Sequence, residues 1–155
     1  KPTIDYYEWL AENFSGTLDT KGELTAESIK FIMTSVHERD DRQIQSVHTP
    51  GAGHSMTGVI EESTQRGLIH GEMAALGAVL VCWITGHADR MMDMFDRCRV
   101  RYRPIEIGLT KDETREALAL APSYFSSRET DTVLAREPIV GKGFEEVWKF
   151  LENHN

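Results

Sequence analysis

The sequence is poor in features that would commit it to several common protein classes. It holds only two cysteines, Cys82 and Cys98, with no CxxC pair and no ladder of spacings. A disulfide framework is therefore not expected, and a reduced, cytoplasmic protein is. Basic residues are outnumbered, 17 Lys and Arg against 25 Asp and Glu, for a formal net charge of −8. A molecule of that charge repels nucleic acid and anionic membranes, while a local basic pocket for a small anion stays open. Long hydrophobic runs are missing too. Met73 to Ile84 is the longest apolar stretch, and it is about half of the ~20 residues that span a bilayer. Lys1 to Asp5 has no apolar targeting core, so nothing resembles a signal peptide. The chain also lacks alternating strand patterns, internal repeats and low-complexity tracts. No strand runs into a Gly-rich helix start, so no dinucleotide or phosphate loop can be claimed. There is no initiator methionine, and Lys1 opens close to a helical segment, as expected of a domain, a processed chain or a fragment.

What is present reads as helix. At 155 residues and 40% hydrophobic, the chain is long and apolar enough for one globular domain over residues 1–155 with its own core. Tyr6, Trp9 and Leu10 sit at helical spacing between Asp5 and Asn13, and Leu18 to Gly22 is a polar turn. Thr25, with Ser28 three residues on, predicts the start of a helix to about Glu38 whose apolar stripe is Ile29, Ile32, Met33 and Val36. A short helix over Asp40 to Val47 follows. Thr49-Pro50-Gly51-Ala52-Gly53 reads as a loop. Helices are then expected over His54 to Ser63 and Gly71 to Thr85, the latter ended by Gly86. The second is apolar all round, with Ala74, Ala75, Gly77 and Ala78 small enough to let backbones approach closely. An amphipathic helix from Asp89 carries Met91, Met92, Met94 and Phe95. Thr110 and Glu113 form a capping-box signature for a helix through Ala121, which Pro122 is expected to stop. After a less regular stretch at Thr132-Val133-Leu134, Phe144, Val147, Trp148 and Leu151 mark a final helix at i, i+3, i+4 and i+7. The expected fold is all-α, a helical bundle.

One constellation carries chemistry. Gly53-His54-Ser55-Met56-Thr57-Gly58-Val59-Ile60-Glu61 is followed by Ile69-His70-Gly71-Glu72, so two histidines stand sixteen residues apart, each at the start of an expected helix and beside glycine. Imidazoles held there can point into a cleft and suit a borderline divalent ion such as Zn²⁺ or Fe²⁺. Two ligands are fewer than the three of a catalytic site, so a carboxylate would have to come from elsewhere. On spacing alone, the histidines read equally as cap or core residues.

The segments GHSMTGVIE and HGEMAALGAVL resemble the two-histidine metal motif of the iron-containing alcohol dehydrogenase and dehydroquinate synthase superfamily. Downstream, Arg103-Pro104 through Glu106-Ile107-Gly108-Leu109, then Glu116-Ala117-Leu118 with Ala121, then Arg128 with Thr132-Val133-Leu134, look like the C-terminal part of the glycerol-1-phosphate dehydrogenase family. The resemblance covers roughly residues 54–134. It implies the metal-binding C-terminal domain of a dehydroquinate synthase-like fold, with His54 and His70 as metal ligands and Glu72 either orienting His70 or serving only as a first-turn carboxylate favoured by the helix dipole. NAD or NADP would sit on a nucleotide-binding domain that the chain lacks, and the substrate would be a small phosphorylated polyol, a glycerol phosphate paired with dihydroxyacetone phosphate. The isolated chain is expected to be inactive, and a homo-oligomer is left open. Three departures stand out. The family's further histidine, four positions after the first ligand, is Gly58 here. Asp131 replaces the aromatic before Thr132. The superfamily's first carboxylate ligand lies upstream of where Lys1 begins, with Asp5 the nearby carboxylate.

Arg97, Arg99, Arg101 and Arg103 alternate and are candidates for phosphate contact, or else solvated charges near a helix end. His48, in the approach to the glycine loop, reads as a surface residue more than as one facing the cleft, and His37, His87 and His154 read as structural or exposed. Two other readings stay open: a sugar-phosphate cyclase of the dehydroquinate synthase type, which the Ile-Glu ending of GHSMTGVIE matches well, and a non-catalytic helical module in which the histidines only cap helices.

Overall fold

A computed structural model describes residues 2–44 and 52–153, with the side chains of 8–35 and 53–153. Among these residues the chain is all-α, with eight helices and no strand. No helix is long and apolar enough to cross a membrane. The chain falls into two compact units, Lys1–Thr49 with Asp93–Arg99, and Pro50–Met92 with Val100–Asn155.

The first unit is built on α1 (Pro2–Ser15) and α2 (Ala26–Ile44). Thr25 caps α2 as expected. The Ser28 amide donates to the Thr25 hydroxyl at 3.1 Å, and the Thr25 amide donates back to the Ser28 hydroxyl at 3.0 Å. Both hydroxyls lie 2.8 Å from the Thr17 carbonyl, which ties the turn after α1 to the start of α2. Phe31 meets Trp9 and Phe14 at ring centroids of 6.0 and 6.4 Å. Together the cap and the aromatic contact turn α2 so that Ser28 and Phe31 face α1. The stripe expected to be buried lies elsewhere: Ile29 is 55% and Met33 66% exposed, and Ile32 is exposed as well. No separate helix begins at Asp40, because α2 runs on through Ile44. The rest of that segment and residues 49–51 lie outside the described residues, whereas Ala52 and Gly53, expected in a loop, are helical.

The second unit centres on α4 (His70–Ile84), which buries Met73, Ala75, Leu76, Gly77, Val79, Leu80 and Cys82. It ends as the Gly86 signal predicts. Gly86 takes φ +74°, its amide donates to the Trp83 carbonyl, and the His87 amide reaches the Cys82 carbonyl at 2.7 Å. This is a left-handed helix stop that glycine reaches without strain. Helix α3 (Ala52–Thr64) packs on α4 and on α6 (Lys111–Ser127). Where α3 meets α4 the backbones touch. A Cβ on Gly53 would lie 2.7 Å from the Ala78 nitrogen, and one on Gly77 would meet the Gly53 carbonyl. Met56, Val59 and Ile60 on α3 are buried, as are Ala117, Leu118, Ala121 and Phe125 on α6. Such side chains contribute about 1.5–3 kcal/mol each for the large apolar ones.

Pro122 does not stop α6, which continues to Ser127. The proline removes the amide that would bond to the Leu118 carbonyl, a cost of about 3 kcal/mol in a helix interior. The buried face continues past it, however, because Phe125 is 1% exposed and extends the line of Leu118 and Ala121. That burial offsets the break. The stretch expected to be irregular contains a single helical turn, α7 (Val133–Arg136), capped by the Thr132 hydroxyl accepting from the Ala135 amide at 3.1 Å. Helix α8 (Lys142–Asn153) buries Phe144, Val147, Trp148 and Leu151, the predicted stripe. Helix α5 (Ala88–Arg97) contributes Met91 and Met92 to this unit, both buried, and its later residues to the first.

The capping box at α6 is formed as its signature predicts. The Glu113 amide donates to the Thr110 hydroxyl at 3.2 Å, and the Glu113 carboxylate accepts from the Thr110 amide at 2.8 Å. Thr110→Ala is expected to cost about 1 kcal/mol, read from the urea midpoint at unchanged slope. The Thr110 amide, and next the Arg66 guanidinium at 2.8 Å, hold the Glu113 carboxyl below its ordinary value. A lowered folded-state pKa stabilises the fold above the unfolded value, and that contribution is lost as pH falls through the folded value. Stability should therefore fall as pH drops below the ordinary carboxylate range, and Glu113→Gln should flatten that part of the pH profile.

Candidate metal centre

His54 lies in the first turn of α3, and His70 is the first residue of α4. The structure brings them together. Their ring centroids are 4.8 Å apart with the planes at 61°. Both residues are exposed, so neither is a core histidine. Nor is His70 the cap of α4, a position held by Ile69 in extended conformation. The pair follows from the helix packing. Gly53 presses the first turn of α3 onto Gly77 and Ala78 of α4, and His54 is the next residue.

The separation matches what a shared ion needs. With Zn–N bonds of about 2.0 Å and tetrahedral angles, two imidazole centroids around one ion are about 5 Å apart. Among the described residues, no set of three His, Cys, Asp or Glu side chains is arranged to hold a metal. Two imidazoles fall short of the three protein ligands of a catalytic site, and the described residues offer no third donor beside them. The cysteines do not supply it. Both are free thiols, and burial pushes both upward, with Arg97 partly opposing this at Cys98.

Glu72 sits in the first turn of α4, where a carboxylate suits the helix dipole, and it is ion-paired with Arg101. That pair fixes the start of α4, two residues from His70, to the segment after α5. The other arginines are placed differently. Arg97 pairs with Asp93 at 3.1 Å on its own helix, and the Arg99 guanidinium packs on Gly22. Arg103 stacks on the Tyr102 ring at 4.6 Å and reaches Glu106 at 3.4 Å. A cavity of about 370 Å³ lies beside it, walled by Pro104, Ile105, Trp148 and Leu151, and neither histidine lines it.

Tyr124 carried no sequence motif, and Arg128 entered only through the downstream resemblance. The Tyr124 hydroxyl occupies the space that a side chain at Gly58 would need. Arg128 stacks on the Tyr124 ring and binds Glu62 of α3. Their i, i+4 spacing on α6 was the available signal, and it was hidden by the expectation that Pro122 ends the helix.

Comparisons with protein-family models, with curated proteins and with solved structures find no match for this chain.

Proposed function

We propose that the second unit is the metal-binding half of an NAD(P)-linked polyol-phosphate dehydrogenase resembling glycerol-1-phosphate dehydrogenases, with a dehydroquinate synthase-like helical fold. The observation that carries this reading is the adjacency of His54 and His70, sixteen residues apart in sequence and 4.8 Å apart as rings. The pair would hold Zn²⁺ or Fe²⁺. When bound, the ion supplies Lewis acidity toward a substrate hydroxyl or carbonyl, and NAD(P) on a separate nucleotide-binding domain exchanges the hydride.

The residues of this chain bind and orient. His54 and His70 present their rings from the first turns of α3 and α4, and the backbone beside His54 rests on the middle of α4 at Gly77 and Ala78. Of the four arginines, Arg101 is the one ion-paired two residues from His70, through Glu72, and we assign it the contact with a substrate phosphate. With the nucleotide on another domain, this chain alone performs no turnover.

Elemental analysis of the purified chain, followed by Zn²⁺ titration of the metal-free protein, tests the reading. One zinc or iron per chain is the expected result. A metal-free protein that also takes up no zinc on titration would leave the histidines as surface residues of a helical module and end the dehydrogenase reading.

A further inference from the structure

The α3–α6 contact explains why residue 58 has no side chain. A Cβ on Gly58 would collide with the phenol oxygen of Tyr124 and lie 3.0 Å from its Cζ. Gly58 follows His54 by four residues, one helical turn along the same face of α3. The phenol oxygen therefore lies against that face one turn from His54. The ring is clamped from its far side, where the Arg128 guanidinium stacks 3.6 Å from the ring centroid. Arg128 is anchored in turn to Glu62 at 3.0 Å, a further turn along α3. Positions 54, 58 and 62 thus present an imidazole, a phenol lent by α6, and a carboxylate that secures the clamp.

We infer that the Tyr124 hydroxyl is a ligand contact of the His54–His70 site, donating a hydrogen bond to an oxygen of a phosphorylated hydroxy-ketone bound there; this rests on the metal-site reading proposed above. A phenol suits the role. It is a neutral group that can donate and accept, on a flat ring with only two side-chain torsions to hold. Packing alone would not need the oxygen. Phenylalanine at 124 would fill the same space between α3 and Arg128, and the oxygen is the atom that excludes a side chain at 58.

The test uses the Co²⁺-loaded chain, titrated with dihydroxyacetone phosphate and followed by the visible absorption of the cobalt. Tyr124→Phe should leave Co²⁺ affinity unchanged and weaken dihydroxyacetone phosphate by about five- to tenfold, the worth of one hydrogen bond. Gly58→Ala improves helix propensity while pushing the phenol aside, and should show the same loss with Tyr124 intact. It decides the matter if Tyr124→Phe folds poorly. Unchanged ligand affinity in these variants overturns the inference, as does a loss of Co²⁺ affinity itself in Tyr124→Phe. A wild-type chain that binds Co²⁺ but not dihydroxyacetone phosphate overturns it and leaves the metal site standing. A wild-type chain that takes up no Co²⁺ overturns both.

Discussion

His54→Ala and His70→Ala are each expected to weaken zinc binding on the order of a hundredfold, while the metal-free variants unfold within about 0.5 kcal/mol of the wild type. The first number follows from structural zinc sites, whose roughly 10–16 kcal/mol is shared among four ligands, or about 3 kcal/mol for each. The second follows from exposure. Both rings stand outside the core, so truncating them removes no buried contact. His87, exposed and just past the end of α4, is the control, and His87→Ala should bind zinc as the wild type does. Competition against a chelating dye measures all three. If only one histidine matters, or neither does, the proximity of the rings is incidental.

The largest stability effect is expected at Gly77. On helix propensity alone, alanine would be favoured there by about 1 kcal/mol. The α3–α4 contact reverses the sign. A Cβ on Gly77 would run into the Gly53 carbonyl and lie 2.7 Å from the Met56 Cβ. The carbonyl belongs to a helix backbone and cannot swing aside, so the helices must part. Overpacking of this kind costs about 3 kcal/mol, a fall in Tm of roughly 6–12 °C for a chain of this length. Gly58→Ala makes the useful contrast, because the atom it meets is the far end of a tyrosine that can rotate away. A thermal melt should rank Gly77→Ala far below Gly58→Ala, and equal melts would mean that the α3–α4 contact is looser than its geometry implies.

Local signals in the sequence predicted local structure well. The Thr25–Ser28 and Thr110–Glu113 pairs cap their helices, Gly86 ends α4, and Phe144 to Leu151 is the buried face of α8. Each depends on residues within a few positions of one another. Two expectations failed for the opposite reason. Whether Pro122 ends α6 depends on whether Phe125, three residues on, finds a place in the core, where it is 1% exposed. The inward face of α2 depends on Phe31 reaching Trp9 and Phe14. Ile29, Ile32 and Met33 form the more hydrophobic stripe, but the cap at Thr25 and the aromatic contact set the rotation. At the candidate site, the two histidines were legible as a motif, whereas their proximity was not. Tyr124 was hidden because its partner is an absence, the missing side chain at 58, sixty-six positions earlier in the sequence.

The glycine contact between α3 and α4 also bears on how the histidine pair withstands change. Gly53, the residue before His54, rests directly on the backbone of α4 at Gly77 and Ala78, where no side chain can be added. Substitutions deeper in the unit, at Leu80 or Leu118 for example, can repack the interior without moving that fulcrum. The start of α3, and His54 with it, is thereby insulated from drift in the core, and its vulnerability is concentrated at the two positions, 53 and 77, where even one added methyl group is felt.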